Sequence, residues 1–151
     1  LNGLNLLFDC CHRRLPLDGD GLSHALQGLH MSAINMKNPA LAYLWQQIVD
    51  MCKSYEKTML KIKEEDGYYR IRTLSGRPFL TVAVQKKHVG LYMIALYEDS
   101  TLAGPLEGAR IGKSCLGFRD ENTPLLDEIP SYLGRCLEHH ISRGEMNSLS
   151  D

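Results

Sequence analysis

The chain lacks the cysteine spacing of a metal or disulfide framework. Its 151 residues include five cysteines, an odd number, and no CxxC pair. That argues against a structural zinc site and against a stapled secreted scaffold, and it predicts reduced thiols in a cytoplasmic protein. Cys52, Cys115 and Cys136 fall in apolar patterns, where a free cysteine acts as a small hydrophobe. Charge of one sign is also lacking. With 17 basic and 18 acidic residues the net charge is -1, so no global field recruits nucleic acid or an anionic membrane. The basic residues are spread out, without the aromatic interleaving of a single-strand binder. No apolar run approaches the roughly 20 residues of a membrane span. The longest clean one, Val89 to Leu96, suits a buried strand. There is no GxSxG, HExxH or Rossmann pattern.

What remains is an ordinary globular composition, 44% hydrophobic and 23% charged, in a length that suits one domain with a genuine core. The first thirty residues show no sustained period, and "LDGDG" is a loop signature. Arg13 and Arg14 follow the apolar residues, the reverse of the order in a signal peptide. Residues 1–37 therefore read as a loosely attached or non-native extension, with Met31 a candidate start. The domain proper spans residues 38–142, and residues 143–151 form a polar tail.

The body reads as helix, meander, helix. Asn38 followed by Pro39 is a capping side chain before a proline at the first helical position. Leu41, Leu44, Trp45, Ile48, Met51 and Cys52 then keep helical spacing, which predicts a helix from about Pro39 to Ser54 with the single tryptophan in the core. Alternation takes over at Thr58. Turns are expected at Asp66-Gly67, at "SGRP" and at "KKH", giving four strands, the last being "VGLYMIAL". A short helical turn near Ser100 to Gly104, a β-like "SCLGFR" and a final helix from about Asp127 follow. Pro130 is tolerated in that helix because a first-turn N–H has no intrahelical partner. The fold class is α+β: an antiparallel sheet of about five strands, as a meander, with N- and C-terminal helices packed on one face.

Two loops carry the candidate chemistry. "GARIGKS" resembles a phosphate loop, but Gly108 precedes Gly112 by one residue too few and a strand follows where a helix should begin. A glycine-flexed loop offering Gly112, Lys113 and Ser114 can still hold an anion through backbone N–H groups; equally, Gly112 only eases the chain into a strand. His88 opens a strand beside Lys86 and Lys87, with no histidine or cysteine at ligand spacing. Lysines at sheet ends commonly serve to block edge pairing. His139 and His140 point about 100° apart on a helix and make a poor chelate.

"GRPFLTVAVQKKHVGLYMIALYED" and "GKSCLGFRDENTPLLDEIPSYL" together resemble the YdhG-like family of small bacterial domains of unknown function, over about Asn38 to His140. The resemblance implies helices packed on an antiparallel sheet. Some members are described as frataxin-like, with a proposed role in iron delivery, which implies oxygen ligands for a hard cation. The carboxylates this chain offers are Asp50, the single acid of the first helix, and Glu56. The loop before "GKS" looks shorter than in many relatives. In the family pattern the "KKH" turn and "GKS" recur together, which predicts one cationic cleft lined by Lys86, Lys87, His88, Tyr92, Gly112, Lys113 and Ser114.

No nucleophile–base pair stands out. The expected function is thus a non-enzymatic binding module for a small anionic ligand, a metal such as iron, or a protein partner. The alternative is a small-molecule enzyme with His88 as general base and Lys113 as anion anchor. An exposed sheet edge is compatible with a homodimer.

Overall fold

The structure is a computed structural model that describes residues 36–146. The expectations for residues 1–35, including Met31, Cys10 and Cys11, and for the tail at 147–151 lie outside the described residues. Five strands form one antiparallel sheet in the order β1-β2-β3-β4-β5: β1 (Leu60–Glu65), β2 (Tyr68–Arg72), β3 (Pro78–Val84), β4 (Val89–Tyr92) and β5 (Cys115–Phe118). The α+β meander is thus present. Tight turns join β1 to β2 at Gly67 (φ 85°) and β2 to β3 at Gly76 (φ 90°), backbone conformations that glycine adopts without a Cβ clash.

Among the described residues three α-helices accompany the sheet: α1 (Ala42–Cys52), α2 (Ile94–Glu98) and α3 (Ile129–Ser142). The chain enters α1 through a 3-10 turn at Pro39–Leu41, where Asn38 Oδ1 accepts from Ala40 N at 3.1 Å. It leaves α1 through another, Lys53–Thr58, so the helix expected to Ser54 tightens at Lys53. Pro130 sits in the first turn of α3, where it forfeits nothing.

Alternation divides the sheet into two faces. Tyr69, Val82, Leu91 and Leu116 form one cross-strand row, and Val84, Val89 and Phe118 another. These residues join Leu44, Trp45, Ile48 and Val49 of α1 and Ile129, Leu133 and Cys136 of α3 in one core. Trp45 is buried and its Nε1–H donates to Val82 O at 2.9 Å, so the tryptophan is core, as its helical position predicts. Tyr68, Ala83, Tyr92 and Cys115 form a smaller cluster on the other face. Cys52, Cys115 and Cys136 are buried. Burial holds the Cys136 thiol up to about 12 and the Cys52 thiol higher still, so neither is a nucleophile at neutral pH.

The run "VGLYMIAL" departs from expectation. Only Val89–Tyr92 is strand; α2 begins at Ile94. Ile94, Ala95 and Leu96 are all buried, so the apolar run continues without marking where strand becomes helix. Beyond it a 3-10 segment, Ser100–Ala109, breaks at Gly104 (φ 50°), against which the Arg135 guanidinium packs. Arg135 donates there to Leu102 O and Ala103 O at 2.9 and 3.1 Å, fixing this segment to α3. Among the described residues no helix is long and apolar enough to cross a membrane.

Candidate functional site

The two candidate loops lie at opposite ends of one ladder. Gln85 N donates to His88 O at 2.8 Å, closing the turn that launches β4. β4 and β5 then pair from Val89↔Phe118 to Tyr92↔Cys115. In that register the residue before β4 meets the residue after β5. The Lys86–His88 turn therefore faces Arg119, while Ser114 lies at the far end, where Met93 N donates to Ser114 O at 2.9 Å. At about 3.3 Å per residue the whole length of the ladder separates them. The single cleft expected from both loops is not formed, and Lys113 is no anion anchor for His88.

The Gly112–Ser114 loop is organised around a cation of its own. Arg110 Nε donates to Gly112 O at 3.0 Å, and its two other nitrogens donate to Lys113 O at 3.2 Å and Ser100 O at 3.3 Å. The loop thus turns carbonyls toward a guanidinium, the opposite polarity to a phosphate cradle. Lys113 is exposed and Ser114 buried. Tyr92 is fully buried. Its ring lies across Gly90, where a Cβ would come within 2.8 Å of it. Its hydroxyl accepts from Gln85 Nε2 at 3.2 Å, and Gln85 Oε1 accepts from Lys37 Nζ at 2.9 Å. Lys86 and Lys87 are exposed at the turn, and Lys86 O accepts from Asn38 Nδ2 at 2.8 Å.

His88 does border a cleft, but with other partners. The cleft has a volume of about 360 Å³ and lies along β5, between Gly108–Ile111 on one side and Arg119–Leu125 on the other. Gly117 forms its floor. A Cβ there would stand 2.7 Å from Ile111 Cδ1 and 3.3 Å from His88 Cδ2, so glycine lets both side chains close over the strand. The His88 Nε2 is buried and has no hydrogen-bond partner among the described residues. Burial, and then the positive charges of Arg119 and Lys37, hold its pKa below the ordinary histidine value, so the ring is neutral at pH 7. Arg119 is exposed and forms no ion pair among the described residues. Asp120 lines the rim, with Oδ1 accepting from Asn122 N at 2.8 Å. Thr123 caps the following 3-10 turn, its Oγ1 accepting from Leu125 N at 3.3 Å. That leaves its hydroxyl proton available to the cleft.

Arg119, Asp120 and Ile111 did not stand out as functional residues in the sequence. The signal for Arg119 was the strand pairing: once β4 and β5 are antiparallel neighbours, the first cation after "GF" meets the last residue of "KKH". Ile111 carries no such signal, because its position follows from the fold of the irregular segment before β5.

A second charged cluster joins the end of α3 to the β2–β3 turn and α2. His140 Nδ1 and Glu145 Oε1 are 2.6 Å apart, Arg143 Nε donates to Glu145 Oε2 at 3.1 Å, and Arg77 Nε lies 3.4 Å from the same oxygen. Glu98 binds His139 Nε2 at 2.8 Å and Arg77 at 3.3 Å. Ser75 Oγ donates to Glu145 O at 2.7 Å, so the first residues of the polar tail expected at 143–151 pack against the β2–β3 turn. Glu145 binds a buried ring and two guanidinium groups. Its carboxyl stays below its ordinary pKa: burial pushes it up, but the hydrogen bonds from His140 and Arg143 and the charge of Arg77 outweigh that.

The carboxylates considered for iron are used locally. Asp50 Oδ1 accepts from Gln46 Nε2 at 2.8 Å, and Glu56 Oε2 accepts from the buried Tyr69 hydroxyl at 2.5 Å. Among the described residues no three histidines, cysteines or acids are grouped to hold a metal ion. Comparison with known proteins adds no further constraint: no family model, no curated protein and no solved structure matches the chain.

Proposed function

We propose that this domain is a non-enzymatic binding module for a small anionic ligand, seated in the cleft between His88 and Arg119. The observation that carries the reading is an exposed guanidinium with no acid partner among the described residues, beside an imidazole with an orphaned ring nitrogen, at the wall of a cleft large enough for a small molecule. The enzymatic alternative loses its anchor, because Lys113 stands at the other end of the ladder. No carboxylate hydrogen-bonds His88 among the described residues, so no group orients it as a base. The iron version draws on Asp50 and Glu56, each already engaged by a neighbour.

The test is a thermal-shift titration of the full chain with sodium acetate and with inorganic phosphate at low ionic strength. A ligand that binds only the folded state raises Tm by mass action. Protection that disappears in Arg119→Gln and persists in Lys113→Gln is the expected result. Protection lost in Lys113→Gln and kept in Arg119→Gln would move the site to the Gly112–Ser114 loop and end this assignment.

A further inference from the structure

Anion binding alone does not explain the rest of the cleft. Apart from Arg119, Asp120, Thr123 and His88, its walls are Ala109, Ile111, Phe118 and Leu125, with glycines at 108 and 117. Ile111 is 42% exposed, one of few large hydrophobic side chains so open to solvent. Its Cδ1 lies over Gly117 rather than in the core, so its apolar surface belongs to the cleft wall. A site for a bare inorganic anion has no use for such a wall. Apolar area removed from water is instead a source of affinity for a ligand with a hydrocarbon body.

The charged groups restrict the head of that ligand. Arg119 presents a planar fork that matches a carboxylate in bidentate fashion. Asp120, adjacent in sequence and on the same rim, repels a second negative charge on the ligand. His88 adds no positive charge while its ring is neutral. Among the residues lining the cleft, one cation, one acid and a neutral ring suit a monoanion and disfavour a phosphate dianion, which favours several convergent donors.

We infer that the ligand is a small amphipathic monocarboxylate, its head on Arg119 and its compact apolar body against Ile111 and Leu125 along the Gly117 floor. The inference rests on the anion-binding reading of the same cleft. It adds the ligand class and a division of labour, with Arg119 selecting charge and Ile111 selecting the apolar body.

Isothermal titration of the full chain with acetate, hexanoate, phenylacetate, hexanamide and inorganic phosphate separates the two claims. Hexanoate and phenylacetate are expected to bind about tenfold or more tightly than acetate, since burying even two methylene groups contributes that much. Hexanamide, with the same body and no charge, is expected not to bind. Arg119→Gln should remove hexanoate binding. Ile111→Ser should bring hexanoate down toward acetate. If phosphate or acetate binds through Arg119 as tightly as hexanoate, the ligand class is wrong and the anion site stands. If hexanamide matches hexanoate and Arg119→Gln changes nothing, the anion site itself falls. If none of the five probes binds, both readings fall together.

Discussion

His88 and His140 share an unusual feature and differ in everything around it. Each leaves its Nε2 buried without a hydrogen-bond partner, and burial lowers the pKa of each. His140, at the end of α3, has Glu145 2.6 Å from Nδ1 and an edge-on contact with Phe79. An ionised carboxylate can only accept, so the His140 Nδ1–H donates and the orphaned Nε2 is a lone pair facing the core. Arg77 and Arg143 answer the charge of Glu145. His88 instead has cations for neighbours, Arg119 and Lys37. The contrast teaches that an orphaned ring nitrogen is no pointer to function by itself. A histidine whose surroundings are saturated holds the fold together. One whose neighbouring cation lacks an acid leaves binding capacity unused.

Removing Glu145 breaks the comparison from the structural side and carries the largest expected effect. Glu145→Ala strands the His140 N–H inside the core and leaves Arg77 and Arg143 without the carboxylate they both face. A buried donor left unsatisfied costs about 1–3 kcal/mol, so the urea midpoint should fall accordingly at pH 7. A midpoint equal to that of the unaltered protein would show that the end of α3 is held by packing alone.

The pH dependence of stability compares both histidines at once. Each has a folded pKa below 6.5, so between 6.5 and its folded value the unfolded chain binds more protons. Their contribution to stability is present above 6.5 and is lost as pH falls below it. Glu145, also lowered, contributes above 4.5 and loses that contribution as pH falls through its folded value. Denaturation midpoints from pH 8 to pH 4 should therefore decline in two stages. In His88→Leu the first stage should shrink and the second remain. An unchanged first stage would mean that His88 keeps its ordinary pKa in the folded chain.

The strand order and both long helices were legible in the sequence because local signals agree there. Asn38-Pro39 caps, Asp66-Gly67 turns, and alternation marks the strands on either side of that turn. The register was legible in principle, yet the recurrence of two motifs suggested a shared cleft that antiparallel pairing forbids. Motif recurrence carries no direction, whereas a ladder does. The change from β4 to α2 was not legible, because "LYMIAL" is buried throughout and a fully buried run has no polar face to set its period. His88 was visible as a site residue because it interrupts apolar runs. Arg119 and Ile111 were not, since their meeting depends on the long-range pairing of β5 and on how residues 109–111 fold back along it.

His88→Leu sharpens the comparison with the smallest change and the opposite sign. The histidine has desolvated a ring nitrogen that no donor or acceptor satisfies, and two cations oppose its protonation. Leucine has a similar size, keeps contact with the Gly117 floor and introduces no polar atom. Replacing an unsatisfied polar group by an apolar one of like shape is neutral or favourable, so a gain of about 0.5–1 kcal/mol at pH 7 is expected. The same substitution at His140 should destabilise, because it leaves Glu145 at the core's edge without its imidazole donor. Urea midpoints for the two variants, measured side by side, decide the matter. A gain at residue 88 with a loss at residue 140 means that the protein keeps His88 at a cost to its own stability, as residues retained for binding do. A loss at both means that His88 holds the fold, and the case for the cleft then rests on Arg119 alone.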